Sequence, residues 1–348
     1  MRVILFCANP YAFGIMKPLY DALVRMEHAV LWYIPEKIAS QFPFIGITDV
    51  TGSMKEVDAF KSDAIFVPGN EVPYYLRGVK VQIFHGLAGE KQGHFRIRNY
   101  FDLYLTQGPY FTERFQQLAK KHRDFAVTET GWCKLDTLFQ NHEAYRQERD
   151  QLLAAAGKKK LILYAPTFSP SLTSATTAQQ EIFELASQEG MHVMIKFHDL
   201  MDPEVVQQYK TAAQAVKNVS IIDDRNILKY LIMADMMISD TSSVVYEFIL
   251  LNKPVITIRS TAETINWRDI PSATSLVETV KHELVHDAFR DARLNTIQTY
   301  HPYTDGKSSE RMIYATESYI KAHGVPDKRK LNLYRRYKIN KMFGRRPD

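Results

Sequence analysis

Residues 236–251 of the chain read MMISDTSSVVYEFILL, and this stretch decides the fold. Met236–Ser239 has the length and apolar character of a buried β-strand, and Val244–Leu251 has a helical pattern. The polar turn 240–243 between them belongs at the carboxyl end of a strand, where open α/β sheets bind ligands. A Lys-Pro pair then ends the helix, and Val255–Ile258 is a further apolar run. Strand, polar turn, helix and strand in this order predict a parallel sheet covered by helices.

The same alternation of short apolar runs and amphipathic stretches extends through the chain. The strand candidates are Val3–Cys7, Ala29–Ile34, Ala64–Val67, Val79–Phe84, Leu103–Thr106, Phe125–Thr128, Leu161–Tyr164, His192–Phe197, Val219–Ile222, Met236–Ser239 and Val255–Ile258. A charged stretch, 143–160, separates them into two series. We therefore expect an α/β protein with two Rossmann-like, doubly wound domains, 1–150 and 151–325, and a cleft between them. Residues 326–348 would form a tail.

The composition is that of an ordinary globular protein. The chain has 348 residues, of which 45% are hydrophobic and 24% are charged, and this excludes a disordered or collagen-like protein. Its two cysteines, Cys7 and Cys133, cannot build a disulfide framework, so we expect a reducing, cytoplasmic setting. No apolar run approaches the ~18 residues of a membrane span. The N-terminus is typical of a core strand rather than of a secretory signal.

The net charge of +5 is concentrated in the C-terminal tail. Residues 328–348 contain nine Lys or Arg and one acid, a net charge of +8, so the other 327 residues carry −3. This distribution argues against a nucleic-acid-binding surface spread over the fold. Large apolar residues such as Leu333, Tyr337 and Phe343 alternate with the basic ones, which suits an anionic membrane surface. The alternative is a solvated, partly disordered tail.

Two histidines follow predicted strands directly, one in each half of the chain. His85 directly follows the fourth apolar run, and a histidine there can exchange a proton near neutral pH as a general base. Lys196 and His198 end the eighth run, where strand alternation predicts that they lie on the same side and can meet a polyanion. The alternative for each is a structural role in a loop or at a sheet edge.

The turn 240–243 is suited to a phosphate. Asp240 or Thr241 can cap the following helix, whatever the function. The helix N-terminus, together with the hydroxyls of Ser242 and Ser243, can also receive an anion. Glu247, one turn further on, can accept hydrogen bonds from a ribose.

Arg311 is another candidate for phosphate binding, because it follows an Asp305-Gly306 turn in the first turn of a predicted helix and can fork onto an anion. The start of a surface helix is the alternative.

The sequence has no P-loop, GxGxxG, HExxH or paired CxxC motif. We therefore expect phosphate chemistry that relies on Lys, Arg, His and helix termini, with no protein-bound metal and no other required cofactor.

Six short motifs, in this order, resemble those of the CDP-glycerol glycerophosphotransferase family of teichoic acid and capsule synthesis. They are His85-Gly86 with Lys91, Gly131-x-x-Lys134-x-Asp136, Tyr164-Ala165-Pro166-Thr167, Lys196-x-His198, Asp240-x-Ser242-Ser243 with Lys253-Pro254, and Asp305-Gly306 with Arg311. The chain departs from the family pattern where Leu87-Ala88 replace Thr-Pro, Asp199 replaces Pro, and Glu247 replaces Asp.

This resemblance implies a GT-B fold. It also implies transfer of glycerol phosphate, or a related polyol phosphate, from a CDP-linked donor such as CDP-glycerol to a hydroxyl of a lipid-linked glycan or polyol-phosphate acceptor, with release of CMP. Domain 1–150 would be the acceptor side and 151–325 the donor side. His85 and His198 would be the catalytic residues, with His85 the candidate base and the reverse assignment still open. The implied donor-binding residues are Thr167, Lys196, Asp240, Ser242, Ser243, Glu247 and Arg311, and the implied acceptor-side residues are Lys91, Arg96 and Arg98.

Two other functions fit the same residues. One is a nucleotide-sugar glycosyltransferase on the same fold, which would release UDP or GDP instead of CMP. The other is a non-catalytic scaffold of a polysaccharide assembly complex. For the transferase, we expect a cytoplasmic protein that is peripheral on the inner face of the plasma membrane and has no nucleic-acid partner.

Overall fold

The computed structural model contains two α/β units and describes residues 1–87, 94–140, 142–224, 227–262 and 264–347. The first unit comprises Met1–Phe139 and Thr299–Asp348, and the second comprises Gln140–Gln298. The strands of the first unit are β1 (Arg2–Phe6), β2 (Ala29–Tyr33), β3 (Val50–Thr51), β4 (Ala64–Val67), β5 (Val79–Gln82), β6 (Leu103–Thr106) and β7 (Ala126–Glu129). Those of the second are β8 (Lys160–Tyr164), β9 (Met191–Ile195), β10 (Val219–Ile221), β11 (Met236–Ser239), β12 (Val255–Ile258) and β13 (Arg268–Ile270).

Helices connect these strands. In chain order they are α1 (Tyr11–Arg25), α2 (Glu36–Ala39), α3 (Met54–Ala59), α4 (Pro109–His122), α5 (Asp136–Gln140), α6 (His142–Ala156), α7 (Gln179–Ser187), α8 (Pro203–Ala213), α9 (Ile227–Met233), α10 (Val244–Ile249), α11 (Leu276–His286), α12 (Arg290–Tyr300), α13 (Ser308–His323) and α14 (Leu333–Phe343). Short 3₁₀ helices cover Cys133–Leu135 and Ala273–Ser275.

Both sheets are parallel and doubly wound. The strand order is β3-β2-β1-β4-β5-β6-β7 in the first unit and β10-β9-β8-β11-β12-β13 in the second. The order reverses between β1 and β4 in one sheet and between β8 and β11 in the other, and such a reversal is the usual ligand position of an open α/β sheet. Helices cover both faces of such sheets, so their central strands are apolar throughout; Ile162, Ile195 and Ile238 are fully buried in the second core.

The apolar runs predicted these strands correctly, to within two residues at each end. Two strands escaped the prediction, and both lie at a sheet edge. Strand β3 has only two residues, and β13 reads Arg-Asp-Ile. Since an edge strand is buried on fewer sides, its sequence carries little of the apolar signal that identifies a central strand.

The structure divides the chain differently from the predicted 151–325 domain, because α13 lies in the first unit. The carboxylate of Asp136 accepts hydrogen bonds from the first two N–H groups of α13, those of Ser308 and Ser309, at 2.8 and 2.7 Å. Gly131 permits the close approach, since a Cβ atom there would lie 2.4 Å from Ser308 Oγ. The Gly-x-x-Lys-x-Asp motif therefore holds α13 in place.

The C-terminal tail also differs from the expectation, because most of it packs on the first unit. The Arg329 guanidinium is buried and forms ion pairs with Asp102 and Asp124. Further on, Ile339 in α14 is fully buried, and the ring of Phe343 meets that of Phe6 edge to face at 5.4 Å. Residues 329–343 are therefore part of a folded unit rather than a free segment.

We expect Arg329→Ala to lower the free energy of unfolding by about 3–5 kcal/mol, because it leaves the Asp102 carboxylate buried without its main partner. Urea unfolding followed by tryptophan fluorescence measures this loss. Lys330→Ala is the matched control, since Lys330 is exposed, and it should change stability by less than about 0.5 kcal/mol. Equal effects of the two substitutions would contradict the role given to Arg329.

Candidate active site

His85 follows β5 at the carboxyl edge of the first sheet, after a strained residue. Phe84 has φ +61°, a left-handed conformation that is a genuine outlier for a bulky side chain. The Phe84 carbonyl accepts a hydrogen bond from Trp132 Nε1 at 3.4 Å, and the Phe84 ring is buried. Strain of this kind persists only where the surroundings hold it in place, and it clusters at functional sites. The strained backbone of Phe84 allows its own ring to be buried while the next residue, His85, is exposed.

The backbone fixes the tautomer of His85. Its Nδ1 lies 3.0 Å from the carbonyl oxygen of Pro68, and its ring lies 5.3 Å from that of Tyr11. A carbonyl oxygen can only accept a hydrogen bond, so the Nδ1 of His85 must donate one. In the neutral ring, Nε2 then carries the lone pair, and this nitrogen can accept a proton.

The predicted acceptor-side loop is described from residue 94 onward, and Lys91 lies outside the described residues. The ring of His94 stacks on that of Phe84 at 5.0 Å. Burial lowers the pKa of His94 to about 4, so this histidine is neutral at pH 7. Arg96 is exposed, and Arg98 donates to its carbonyl at 3.3 Å. These two arginines therefore lie in a loop whose His94 packs on Phe84, the residue before His85.

In the second unit, Asp240 joins the turn after β11 to the loop after β8. One carboxylate oxygen accepts from the Thr167 N–H at 2.8 Å, and the other accepts from the N–H and the hydroxyl of Ser174 at 2.8 and 2.9 Å. Burial raises the pKa of Asp240, and these hydrogen bonds act against that rise. Because both oxygens are turned to this loop, the expectation that Asp240 caps α10 is wrong, and its contacts are those of a positioning residue.

Ser242 and Ser243 lie beside Asp240 and are partly exposed. Ser243 is the residue before α10, and its side chain makes no capping hydrogen bond. In the described part of the chain, neither serine hydroxyl has a hydrogen-bond partner. The helix that follows has six residues, so its dipole is short, and the hydroxyls are the main polar groups of this turn. Glu247 is only 5% exposed.

The lysine of the Lys-Pro pair has a structural role. The Nζ of Lys253 donates to the carbonyls of Leu231, Ile232 and Ala234, at the end of α9. Burial lowers the pKa of Lys253 to about 8. These three carbonyls have no partner within the helix, so Lys253 closes its C-terminal end.

His198 and Lys196 lie beyond the end of β9, so strand alternation does not govern them as predicted. Lys196 is buried; its Nζ donates to the Phe197 carbonyl at 2.7 Å and lies 4.0 Å from Asp199 Oδ1. The Nδ1 of His198 accepts a hydrogen bond from the N–H of Leu200 at 3.1 Å. An N–H can only donate, so the proton of neutral His198 is on Nε2. Partial burial lowers the pKa of His198, which keeps the ring neutral at pH 7.

Arg311 belongs to the first unit, whereas the other predicted donor-binding residues belong to the second. Its guanidinium forms two hydrogen bonds with the Asp305 carboxylate, at 2.8 and 3.1 Å, and donates to the Thr130 carbonyl at 2.8 Å. It also stacks on the ring of Tyr303 at 4.2 Å. Arg311 thus ties the start of α13 to the loop that contains Gly131.

The sequence reasoning missed one exposed cation of the second unit, Arg259. It follows β12, next to β11 in the sheet, and its backbone has φ +54°. Its N–H donates to the Ile270 carbonyl at 3.0 Å. Its positive charge lowers the pKa of Asp240, as the hydrogen bonds to that carboxylate do, and so opposes the effect of burial. The signal was present, since Arg259 directly follows an apolar run, as His85 and His198 do.

No group of three or more His, Cys, Asp or Glu side chains is arranged to hold a metal ion within the described ranges. Likewise, none of the helices described is long and apolar enough to cross a membrane.

The two Rossmann-like units define a GT-B-type fold. The wall teichoic acid polymerase TagF shares it, with a TM-score of 0.68, 16% sequence identity and coverage of 92% of this chain and 89% of that chain. So does a UDP-N-acetylglucosamine 2-epimerase of Listeria monocytogenes, with a TM-score of 0.64, 15% identity and coverage of 95% and 99%. The profile of the CDP-glycerol:poly(glycerophosphate) glycerophosphotransferase family matches residues 79–264, more than half of the chain. The chain belongs to this family.

Curated relatives act in teichoic acid synthesis. The teichoic acid ribitol-phosphate polymerase TarL of Staphylococcus aureus is 29% identical over 299 residues, which cover 73% of this chain and 51% of that protein. The teichoic acid glycerol-phosphate primase of Bacillus subtilis is 26% identical over 238 residues, which cover 62% and 58%. The chain therefore spans only about half of the length of these relatives.

Asp240→Asn should lower the free energy of unfolding by about 1–3 kcal/mol, because the amide turns an N–H₂ group toward the N–H and O–H donors that the carboxylate satisfied. Arg259→Ala should change stability by less than about 0.5 kcal/mol, because Arg259 is exposed. Urea unfolding of the two variants measures both values. A stable Asp240→Asn protein would contradict the positioning role of Asp240.

Proposed function

We propose that this chain transfers a polyol phosphate, with glycerol phosphate as the first candidate, from a CDP-linked donor to an acceptor hydroxyl and releases CMP. Its family membership supports this reaction, and a histidine-to-asparagine variant of the TagF polymerase has been soaked with CDPG. The observation that carries the proposal is the opposite use of two histidines. Nδ1 donates in His85 and accepts in His198, which leaves one acceptor and one donor for chemistry.

His85 is the general base of this proposal. Its Nε2 accepts the proton of the acceptor hydroxyl while that oxygen attacks the phosphorus next to the polyol. The new O–P bond forms as the bond from this phosphorus to the bridging oxygen breaks. CMP leaves with that oxygen and both electrons of the bond. General base catalysis of this kind contributes about 10²–10⁴-fold to the rate.

The second unit holds the donor in this proposal. The Nε2–H of His198 donates to a diphosphate oxygen, and Lys196 and Arg259 offset its negative charge. The hydroxyls of Ser242 and Ser243 donate to phosphate oxygens, as does Thr167 from the neighbouring loop. Glu247 accepts from the ribose. Positioning and charge stabilisation supply most of the catalysis of phosphoryl transfer, so these contacts matter as much as the base.

Arg311 supports the fold rather than the donor in this account, because its guanidinium is engaged by Asp305, Thr130 and Tyr303. The acceptor is a hydroxyl of a lipid-linked glycan or polyol phosphate. Lys91, Arg96 and Arg98 attract its negative charge.

The two histidines should fail in different ways when each is replaced. His85→Ala should lower kcat about 10²–10⁴-fold and leave the Kd for CDP-glycerol unchanged. His198→Ala should raise that Kd about tenfold, the loss of one hydrogen bond to a charged group. Calorimetric titration with CDP-glycerol and CDP-ribitol gives Kd, and CMP release gives kcat.

His323→Ala is the matched control, because His323 is an exposed histidine at the end of α13, and both constants should stay at wild-type values. Unchanged turnover in His85→Ala would contradict the role of His85 as the general base. Release of UDP or GDP from a nucleotide sugar, with no CMP from either CDP-polyol, would favour the glycosyltransferase instead.

We also propose that the outer face of α14 contacts an anionic membrane surface, on the inner face of the plasma membrane. Leu333, Tyr334 and Tyr337 are 81%, 69% and 66% exposed, and Lys341 and Arg345 are exposed near them. Tyrosines beside basic side chains suit the interface between head groups and water. The buried face of α14 meanwhile anchors this surface to the first unit.

A Tyr337→Ser/Lys341→Ala double variant should bind phosphatidylglycerol vesicles about tenfold more weakly than wild type, since one basic residue near an anionic surface contributes about 1 kcal/mol and the ring adds apolar burial. Vesicle sedimentation measures the binding. Tyr314→Ser is the control, because Tyr314 is an exposed tyrosine of α13. Equal loss in the control, or none in the double variant, would contradict the assignment.

A further inference from the structure

A cavity of about 550 Å³ lies in the first unit, where the strand order reverses. It is lined at the ends of β1, β2 and β4 and by the last residues of α14. Its lining residues are Phe6, Ala8, Asn9, Tyr11, Ala12, Tyr33, Pro35, Lys37, Val67, Pro68, Gly69, Asn70, Glu71, Met342 and Phe343. A volume of this size is typical of small-molecule sites, which have an apolar lining and a few polar groups.

The cavity adjoins the proposed base. Two of its lining residues contact His85 directly: Pro68 accepts the Nδ1 hydrogen bond, and the Tyr11 ring packs on the imidazole. A molecule in the cavity therefore lies beside the residues that orient the His85 ring. None of these contacts is part of the donor site that we propose for the second unit.

The lining has two kinds of surface. Part of it is apolar: the rings of Phe6 and Tyr33 stack at 4.5 Å, and the ring of Phe343 from α14 meets that of Phe6. The lining also contains Asn9, Asn70 and Glu71, whose amide and carboxylate groups can hydrogen-bond to hydroxyls.

Lys37 is the cation of the lining. It is exposed, and it forms no ion pair within the described residues. The one carboxylate of the lining, that of Glu71, lies 4.0 Å from Lys338 of α14 instead. An unpaired ammonium group beside hydroxyl-binding amides suits a ligand that combines hydroxyls with a phosphate.

We propose that this cavity binds the terminal polyol-phosphate unit of the acceptor and presents its hydroxyl to Nε2 of His85. Lys37 binds the phosphate of that unit, and Asn9, Asn70 and Glu71 bind its hydroxyls. The C-terminal helix α14 contributes a wall of this acceptor site, so the tail has a second role besides the membrane contact. The inference rests on the proposed transfer reaction, and it names the place where the acceptor binds.

Two pairs of variants test the site. Ala8→Leu places a larger side chain at the half-buried rim of the cavity, and Ala39→Leu makes the same change at an exposed residue of α2 outside it. Lys37→Ala removes the cation, and Lys55→Ala removes an exposed lysine of α3. The probe is a short, water-soluble oligo(glycerol phosphate). Its Kd is measured by calorimetry without a donor, and CMP release from CDP-glycerol is measured with and without it.

Lys37→Ala should raise the Kd and the KM for oligo(glycerol phosphate) about tenfold or more, the loss expected for one contact to a charged group. Ala8→Leu should raise both constants by at least as much, because the larger side chain occupies part of the cavity. The Kd for CDP-glycerol and its slow hydrolysis by water should stay within twofold of wild type. Ala39→Leu and Lys55→Ala should match wild type in every measurement.

Wild-type affinity for the probe in both cavity variants would overturn the inference, and so would equal losses in the controls. Failure of the proposed function gives a different pattern, with no CMP released from any CDP-polyol by the wild-type protein. The direct binding measurement still decides whether the cavity holds a polyol phosphate in that case.

Discussion

The backbone engages the Nδ1 of both candidate histidines, and this constraint determines what each ring can do. A carbonyl beside His85 makes Nδ1 a donor, while an N–H beside His198 makes Nδ1 an acceptor. The remaining nitrogen of each ring then has the opposite character. The proposed division of labour, with one histidine as base and the other as hydrogen-bond donor to the donor phosphates, follows from these two contacts. Identical side chains in similar positions after parallel strands thus acquire different chemistry.

The motif residues of the family divide into those that shape loops and those that remain accessible. Gly131 and Asp136 hold α13, Lys253 closes α9, and Asp240 ties two loops together. These contacts are buried or partly buried, and those of Asp136, Lys253 and Asp240 satisfy backbone groups that would otherwise lack partners. Ser242 and its neighbour keep hydroxyls without protein partners in the described chain. A motif of this kind therefore contains residues that hold the loops in place as well as residues that are accessible to a ligand.

The sequence predicted the central strands well, and His85 and His198 follow two of them. Burial leaves apolar runs in the sequence, and the polar residue that follows such a run marks the ligand edge of a parallel sheet. The same rule also pointed to Arg259, which was overlooked. Edge strands such as β3 carry too little apolar signal to be recognised.

Long-range contacts were beyond the reach of pattern reasoning. The bond between Asp136 and Ser308 joins residues 172 positions apart, and the Arg329–Asp102 pair spans 227 positions. No local pattern indicates that residues 299–348 return to the first unit. The histidine tautomers were equally hidden, because they depend on which backbone group, Pro68 O or Leu200 N–H, lies next to each ring.

The tautomers of the two rings can be measured directly by long-range proton–nitrogen correlation spectra of the protein labelled with ¹⁵N-histidine. His85→Gln and His198→Gln variants assign the two sets of signals. At pH 8, the account predicts that His85 carries its proton on Nδ1 and that His198 carries it on Nε2. The same tautomer in both rings, or the reverse arrangement, would contradict the division of roles on which the proposed mechanism rests.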